Sequence, residues 1–191
     1  MSIRIVFLSG MITLTEYLNH EQLFATERLS LMRWQNLATT PNFEDAGITA
    51  VLTILSPEVT KALPDGWQSV NTPEKAKKWI AERDADSHFY AVVNKESREV
   101  IGFLFLYRDG ESQELRLGYL IGEAYWGKGI GTELIKGLVS WCKTAQVVKS
   151  LSGGVEENNI GSIKVLEKCG FQESSEEMPS GVSLYQISFK C

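Results

Sequence analysis

The stretch from Leu115 to Thr132 constrains this chain most. It reads as a strand, a glycine-rich bend and the start of a helix in immediate succession. Ile130, Leu134, Ile135, Leu138, Val139, Trp141, Cys142 and Ala145 then recur at helical spacing and form one apolar stripe. Gly127, Gly129 and Gly131 stand at alternate positions just before and inside the first turn, where they leave main-chain N–H groups uncovered. A first turn carries unpaired donors and the positive end of the helix dipole. Bare amides there make a site for a phosphate-type anion. The same glycines would equally serve a turn of purely geometric purpose, and the motif alone does not separate the two.

Other phosphate-binding readings of this stretch fail on details. Gly122 to Lys128 matches the Gly-x4-Gly-Lys part of a nucleotide loop, but Gly129 replaces the Ser or Thr that would ligate Mg²⁺. The strand expected at Val147–Gly153 offers no acidic residue for the metal either. A dinucleotide fingerprint fails because the glycine spacing is wrong and no parallel βαβ run surrounds it.

In chain order, residues 1–24 form an extension of uncertain structure, and 25–191 read as one domain. Alternation over Thr26–Trp34 predicts a first strand, and apolar spacing predicts a helix over 42–55. Ser56-Pro57 marks a helix restart and Thr72-Pro73 opens a helix to about Asp84. Trp67 follows a turn and is expected to pack that loop down rather than to touch a substrate. Strands are predicted at His88–Asn94, Val100–Tyr107 and Gln113–Ile121, with a hairpin turn over Lys95–Arg98 between the first two. After the long helix come a strand at Val147–Gly153, a helix at Asn158–Cys169 ended by Gly170, and strands from Phe171 and over Val182–Lys190. An exposed acidic loop, Glu173–Gly181, separates the last two. This order predicts an α+β fold: a mixed, largely antiparallel twisted sheet of about seven strands with helices on both faces.

Composition narrows the function. A net charge of −5 argues against a general nucleic-acid binder and fits a cationic or amine substrate. The three cysteines, Cys142, Cys169 and Cys191, show no CxxC spacing and read as reduced thiols of a cytoplasmic protein. With His20 and His88 isolated, no structural zinc set is expected, and no apolar run approaches a membrane span. The short apolar run Ile5–Leu8 is broken by Ser9-Gly10 and lacks a cleavage site, so a secretory leader is not expected.

Two segments together are more specific than either alone. Tyr125–Leu134 (YWGKGIGTEL) and Asn159–Phe171 (NIGSIKVLEKCGF), with Thr26-Glu27-Arg28-Leu29, resemble the GNAT superfamily of acyl-CoA-dependent N-acyltransferases. Within it the chain is most similar to the RimJ/RimL branch of ribosomal-protein N-terminal acetyltransferases. The resemblance runs from about residue 25 to the end, and residues 1–24 and 36–69 lie outside its motifs. It implies that acetyl-CoA is the co-substrate and that its pyrophosphate rests on the main chain of Trp126, Gly127, Lys128, Gly129, Ile130, Gly131 and Thr132. It further implies that Leu120 and Ile121 pair with the pantetheine arm, that Asn159 steadies that arm, and that Ser162 lies near the sulfur. Read without the family, Asn159 is a helix N-cap and Ser162 a neutral helix residue. The implied reaction is acetyl transfer to a primary amine, favouring a protein N-terminal α-amine over a small-molecule amine such as an amino acid, polyamine or antibiotic. A non-catalytic acyl-CoA-binding module is the remaining reading. The resemblance implies no metal, no nucleic-acid or membrane partner, and a monomer or homodimer.

The sequence departs from the branch at Arg116, where relatives often place a glutamate two residues before the Gly-Tyr pair. Glu114 on the same strand face is the substitute base acting through water, or else a solvated or salt-bridged residue. Ser162 or a water is the expected proton donor to the leaving thiolate. The acceptor pocket is expected between segment 42–70 and the loop before the last strand.

Overall fold

The computed structural model describes residues 13–190 apart from 40–42, 62, 64 and 109. The leader question and Cys191 therefore lie outside the described residues. The order is α1 Leu14–Leu18, β1 Gln22–Ala25, β2 Leu29–Arg33, α2 Trp34–Ala38, α3 Phe43–Ile54, α4 Pro57–Thr60 and α5 Pro73–Asp86. There follow β3 His88–Asn94, β4 Val100–Arg108, β5 Glu114–Ile121, α6 Ile130–Ala145, β6 Ser150–Glu156, α7 Ile160–Lys168, β7 Gln172–Glu173 and β8 Val182–Ser188. Eight strands form one sheet in the order β1-β2-β3-β4-β5-β6-β8-β7. Every neighbouring pair is antiparallel except β5 with β6. Helices cover both faces, as expected.

The alternation of each strand decides which face its side chains feed. Leu115, Leu117 and Ile121 of β5 pack with Leu134, Leu138 and Cys142 of α6, Leu166 of α7, and Leu14 and Leu18 of α1. Leu120 faces the other way, with Trp34 of α2, Val51 and Ile54 of α3, Trp79 of α5, and Phe89, Phe103 and Phe105. This second core is aromatic: Trp34 stacks on Phe89 at 4.8 Å and Phe89 on Phe105 at 5.1 Å. Trp67 stands edge-on to Phe105 at 5.2 Å, which makes it a packing residue.

Three differences from the sequence reading have local causes. The strand expected over Thr26–Trp34 forms as β2, Leu29–Arg33, because Thr26-Glu27-Arg28 is the turn that joins it to β1. The turn is closed by Thr26 N donating to Leu29 O at 2.9 Å and by Leu29 N donating to Thr26 Oγ1 at 3.1 Å. Trp34 falls out of phase with the buried positions Leu29, Leu31 and Arg33 and is already helical, with its side chain in the aromatic core. The strand after α6 begins at Ser150 rather than Val147: Val148 is buried without being a strand residue, and the sheet accepts Gly153 and Gly154 into β6. The eighth strand is β1, from the stretch the sequence leaves unassigned, and Leu14, Leu18 and Leu23 bring residues 14–25 into the main core.

Candidate functional site

β5 and β6 share only three register pairs, Glu114 with Ser150, Leu115 with Leu151 and Arg116 with Ser152. Beyond them β5 stays on β4 as far as Ile121 opposite Gly102, while β6 stays on β8 as far as Glu156 opposite Val182. The two strands thus part, and a wedge opens past Leu117 and Gly153. Gly122 N donates to Ile101 O at 2.9 Å, and Leu120 is opposite Phe103. Hydrogen-bonding direction alternates along a strand, so the backbone groups of Leu120 serve β4, whereas those of Tyr119 and Ile121 face the wedge. The Ile121 carbonyl is already used, accepting from Trp126 Nε1 at 2.7 Å. That bond ties the start of the bend to the strand end, although Trp126 remains 46 % exposed.

The bend is built on left-handed glycines. Gly127 and Gly129 have φ of +71° and +74°, left-handed values that only glycine adopts cheaply. They carry the chain into α6 with Gly129 as N-cap and no side-chain cap on the helix. Trp126, Gly127, Lys128 and Gly129 are exposed, and Gly131 and Thr132 are half-buried. The first-turn amides, which a helix cannot satisfy internally, therefore open to the surface. Lys128 Nζ lies 5.7 Å from the Tyr125 ring centre.

A clamp that sequence reasoning missed fixes the bend. Glu133, in the first turn of α6, accepts from Thr26 Oγ1 at 2.5 Å, Arg28 N at 2.8 Å and Arg28 Nε at 2.6 Å. Arg28 Nη1 in turn donates to Lys128 O at 3.1 Å. Burial pushes the Glu133 carboxyl up, but the bonds from Thr26 and Arg28 outweigh it and hold the group below the usual carboxylate range. The signal lay in Thr-Glu-Arg of the first segment and Thr-Glu of the second, which nothing in the sequence joins. The clamp leaves the Arg28 guanidinium beside Gly129, a cation next to the uncapped start of α6.

Across the wedge, Asn159 is the N-cap of α7 and its Oδ1 accepts from Ser162 N at 3.1 Å. Ser162 also stands near the Tyr119 side chain, close enough for its hydroxyl to act on the phenol. Burial raises the Tyr119 hydroxyl above its ordinary value, and Ser162 offsets part of that shift. Tyr119 also packs near Gly131, 3.7 Å from where a Cβ would stand. Strand edge, bend and α7 therefore meet at Tyr119, which the sequence reading had not singled out.

Glu114 is not part of this assembly. It lies where β5 and β6 are still paired, roughly 13 Å along the strand from Gly118 at the usual rise per residue. Its face is opposite to that of Leu115 and Leu117, which pack with α6 and α7. Arg116 shares that face.

On the α3 face, Ile54 lies 3.5 Å from where a Cβ on Gly122 would stand, and Ser56 Oγ donates to Glu123 at 3.4 Å. On the β6 side, Met178 and Val182 approach Gly154. A separate groove of about 850 Å³ runs from Gly129 along α6 to Thr144, with Lys136 and Lys168 among its lining. Among the described residues no group of three or more His, Cys, Asp or Glu could hold a metal ion, and no helix is long and apolar enough to cross a membrane.

Comparison with known proteins places these features in context. The model of the acetyltransferase (GNAT) domain matches residues 38–172. A probable N-acetyltransferase of Bacillus subtilis, YjcK, is 33 % identical over 94 residues, which cover 48 % of this chain and 51 % of that protein. The chain thus spans about half the length of the curated relatives it matches. RimL, a ribosomal L7/L12 alpha-N-protein acetyltransferase solved with coenzyme A, superposes with a TM-score of 0.67 at 17 % identity, over 88 % of this chain and 98 % of that one. The microcin C7 self-immunity acetyltransferase MccE, solved with acetyl-CoA and AMP, gives 0.68 at 16 % identity, over 85 % and 93 %. At these identities the solved structures show the shared fold.

Proposed function

The chain belongs to the GNAT acetyltransferase family, and from that premise we propose that it transfers an acetyl group from acetyl-CoA to a primary amine, with a protein N-terminal α-amine as preferred acceptor. One observation carries the reading: the uncapped N-terminus of α6 stands beside the unpaired edge of β5. In this reading the diphosphate of acetyl-CoA rests on the amides from Trp126 through Thr132, with Arg28 adding charge at Gly129. The pantetheine arm lies along the edge made by Tyr119, Leu120 and Ile121 and takes its main-chain bonds from Tyr119 and Ile121. The free amide N–H₂ of Asn159 steadies the arm, and the groove with Lys136 and Lys168 receives the adenosine end.

Acetyl-CoA supplies an acyl group already activated as a thioester, so the protein's task is orientation. A strand-end N–H of β5 polarises the carbonyl. As the amine nitrogen forms the new C–N bond, the C–S bond breaks. The departing thiolate takes a proton from Ser162 Oγ, Tyr119 resupplies the serine, the amine's proton leaves to water, and water returns a proton to the Tyr119 phenolate. Glu114 has no place in this step.

The wedge also selects the acceptor. Leu117–Ile121 and Gly153–Val155 carry no carboxylate, and Arg116 stands where the branch has one. An α-amine, with pKa near ~8, is partly neutral without a strong base, whereas a lysine near ~10.4 is not. Exposed Glu176 and Glu177 beside Met178 favour approach of a cationic chain end. The likeness to RimL agrees with this choice, and that to MccE keeps a small-molecule amine as the second reading. The test is a mass-spectrometric screen with acetyl-CoA against peptides with free N-termini, the same peptides N-terminally blocked, amino acids and polyamines. Product on free N-termini alone is the expected result. Product on small amines alone overturns the acceptor, and saturable acetyl-CoA binding without product on any amine overturns the activity.

A further inference from the structure

Arg33, the last residue of β2, is only 6 % exposed, and no carboxylate among the described residues pairs with it. Its guanidinium lies over the Tyr90 ring at 5.5 Å, and its Nη1 is buried without a hydrogen-bond partner. A buried cation left this way is costly, since a ring face offsets only part of the lost hydration. Two further orphaned atoms, His88 Nδ1 and Asp84 Oδ1, are buried in residues that line one cleft of about 250 Å³ together with Arg33.

The other charged groups lining the cleft are already committed. Arg108 donates through Nε to Ser112 O at 2.6 Å and through Nη1 to Thr15 at 2.7 Å, and its Nη2 lies 3.4 Å from Glu111. Asp86 pairs with Arg83 at 3.3 Å, and the second oxygen of Asp84 accepts from Gln35 at 3.0 Å. What remains without a partner among the described residues is a cationic donor, an imidazole nitrogen and a carboxylate acceptor. The field at the imidazole is positive. Burial first, then Arg33 and Arg108, push His88 down to about 4, and neither Asp84 nor Asp86 contributes a counteracting effect.

Water would meet each orphaned atom singly but leave the Arg33 charge uncompensated. A plain anion would satisfy Arg33 and leave Asp84 facing a like charge. An oxyanion that keeps a proton does both. We propose that this cleft binds a small protonated oxyanion of the hydrogen phosphate or bicarbonate type, its oxygens accepting from Arg33 and from His88 Nδ1–H and its own hydroxyl donating to Asp84. The site is distinct from the wedge: His88 is opposite Leu106, and Leu106 is opposite Leu117, two strand spacings or about 10 Å away.

The imidazoles report occupancy without any activity assay, because the chain has two histidines and His20 is exposed. Inorganic phosphate is titrated into the full chain in phosphate-free buffer at neutral pH, with bicarbonate as a second arm and chloride at matched ionic strength as control. Imidazole ¹H–¹⁵N correlations are followed throughout. Phosphate, bicarbonate or both should give a saturable shift at His88 with a protonated Nδ1, little change at His20, and no such response to chloride. Arg33→Gln should weaken the affinity at least tenfold. If that variant fails to fold, Arg33→Lys and a His88→Gln thermal-shift titration take its place, each expected to lose most of the phosphate response. An unsaturating drift shared by both histidines overturns the site, as does a shift that survives every variant. A response to chloride equal to that of phosphate overturns the protonated-oxyanion assignment.

Discussion

Gly129 holds a φ of +74°, and an added Cβ would stand 3.7 Å from Arg28 Nη2, an ordinary contact. Space is therefore not what excludes a side chain; the left-handed backbone is, at about 1–2 kcal/mol. Gly129→Ala should weaken acetyl-CoA binding about tenfold, equivalent to about 1.4 kcal/mol, with turnover at saturating acetyl-CoA far less affected. Calorimetric titration measures the first quantity, and an unchanged Kd would remove these amides from the binding site. Tyr119 and Ser162 act at the same scale but on the other kinetic parameter. Tyr119→Phe and Ser162→Ala should each lower kcat by about 10²-fold while leaving the KM for acetyl-CoA near its original value. Residues that pass one proton fail together, so the double variant should be little worse than either single one. Losses that multiply would show two independent roles.

At the scale of elements, β1 is held against α6 by an unusually close approach. A Cβ on Gly137 would stand 2.6 Å from the Phe24 ring and 2.7 Å from Thr26 Cγ2. In an exposed helix, glycine to alanine is worth up to about 1 kcal/mol of added stability. Here Gly137→Ala must displace Phe24 and Thr26, and Thr26 also bonds Glu133. A net loss of about 1 kcal/mol is expected, read from the urea midpoint, and a gain would mean that β1 rides loosely on the helix. The same contact explains what the sequence could not tell. α6 was legible from its apolar stripe, the bend from its glycines, and β3 at both ends from its pattern between turn residues. Gln22–Ala25 is four residues with Leu23 its one buried side chain, so pairing with β2 and seating on α6 make it a strand, not local preference. The site divides in the same way. The bend and Asn159–Ser162 are local motifs, whereas the Arg28–Glu133 clamp and the Tyr119–Ser162 contact exist only once distant segments meet. Glu114 was chosen by its face of the strand, and only the register of β5 on β6 shows that the wedge opens beyond it.

For the whole molecule, His88 and Glu133 divide the acid response into two ranges. The folded state holds His88 at about 4, below the ordinary ~6.5 of an unfolded chain. Between those values the unfolded chain binds the extra proton, so stability is complete above ~6.5 and declines as pH falls toward 4. Arg33 and Arg108 oppose protonation, while Asp84 and Asp86 face the same cleft. With a discount for partial exposure the loss is about 1–2 kcal/mol. Glu133 is also lowered, so its share is present above the ordinary carboxylate value of ~4.3 and disappears only as pH falls below it. Urea unfolding in phosphate-free buffer at neutral pH, at pH 5 and below pH 4 separates the two. His88→Gln should flatten the decline between neutrality and pH 5 and leave the lower one, whereas Glu133→Gln should do the reverse. An anion seated between Arg33 and His88 would ease protonation of the imidazole, so phosphate should shrink the upper decline in the native chain and have no such effect in His88→Gln. A decline that persists in His88→Gln would place the titrating group elsewhere.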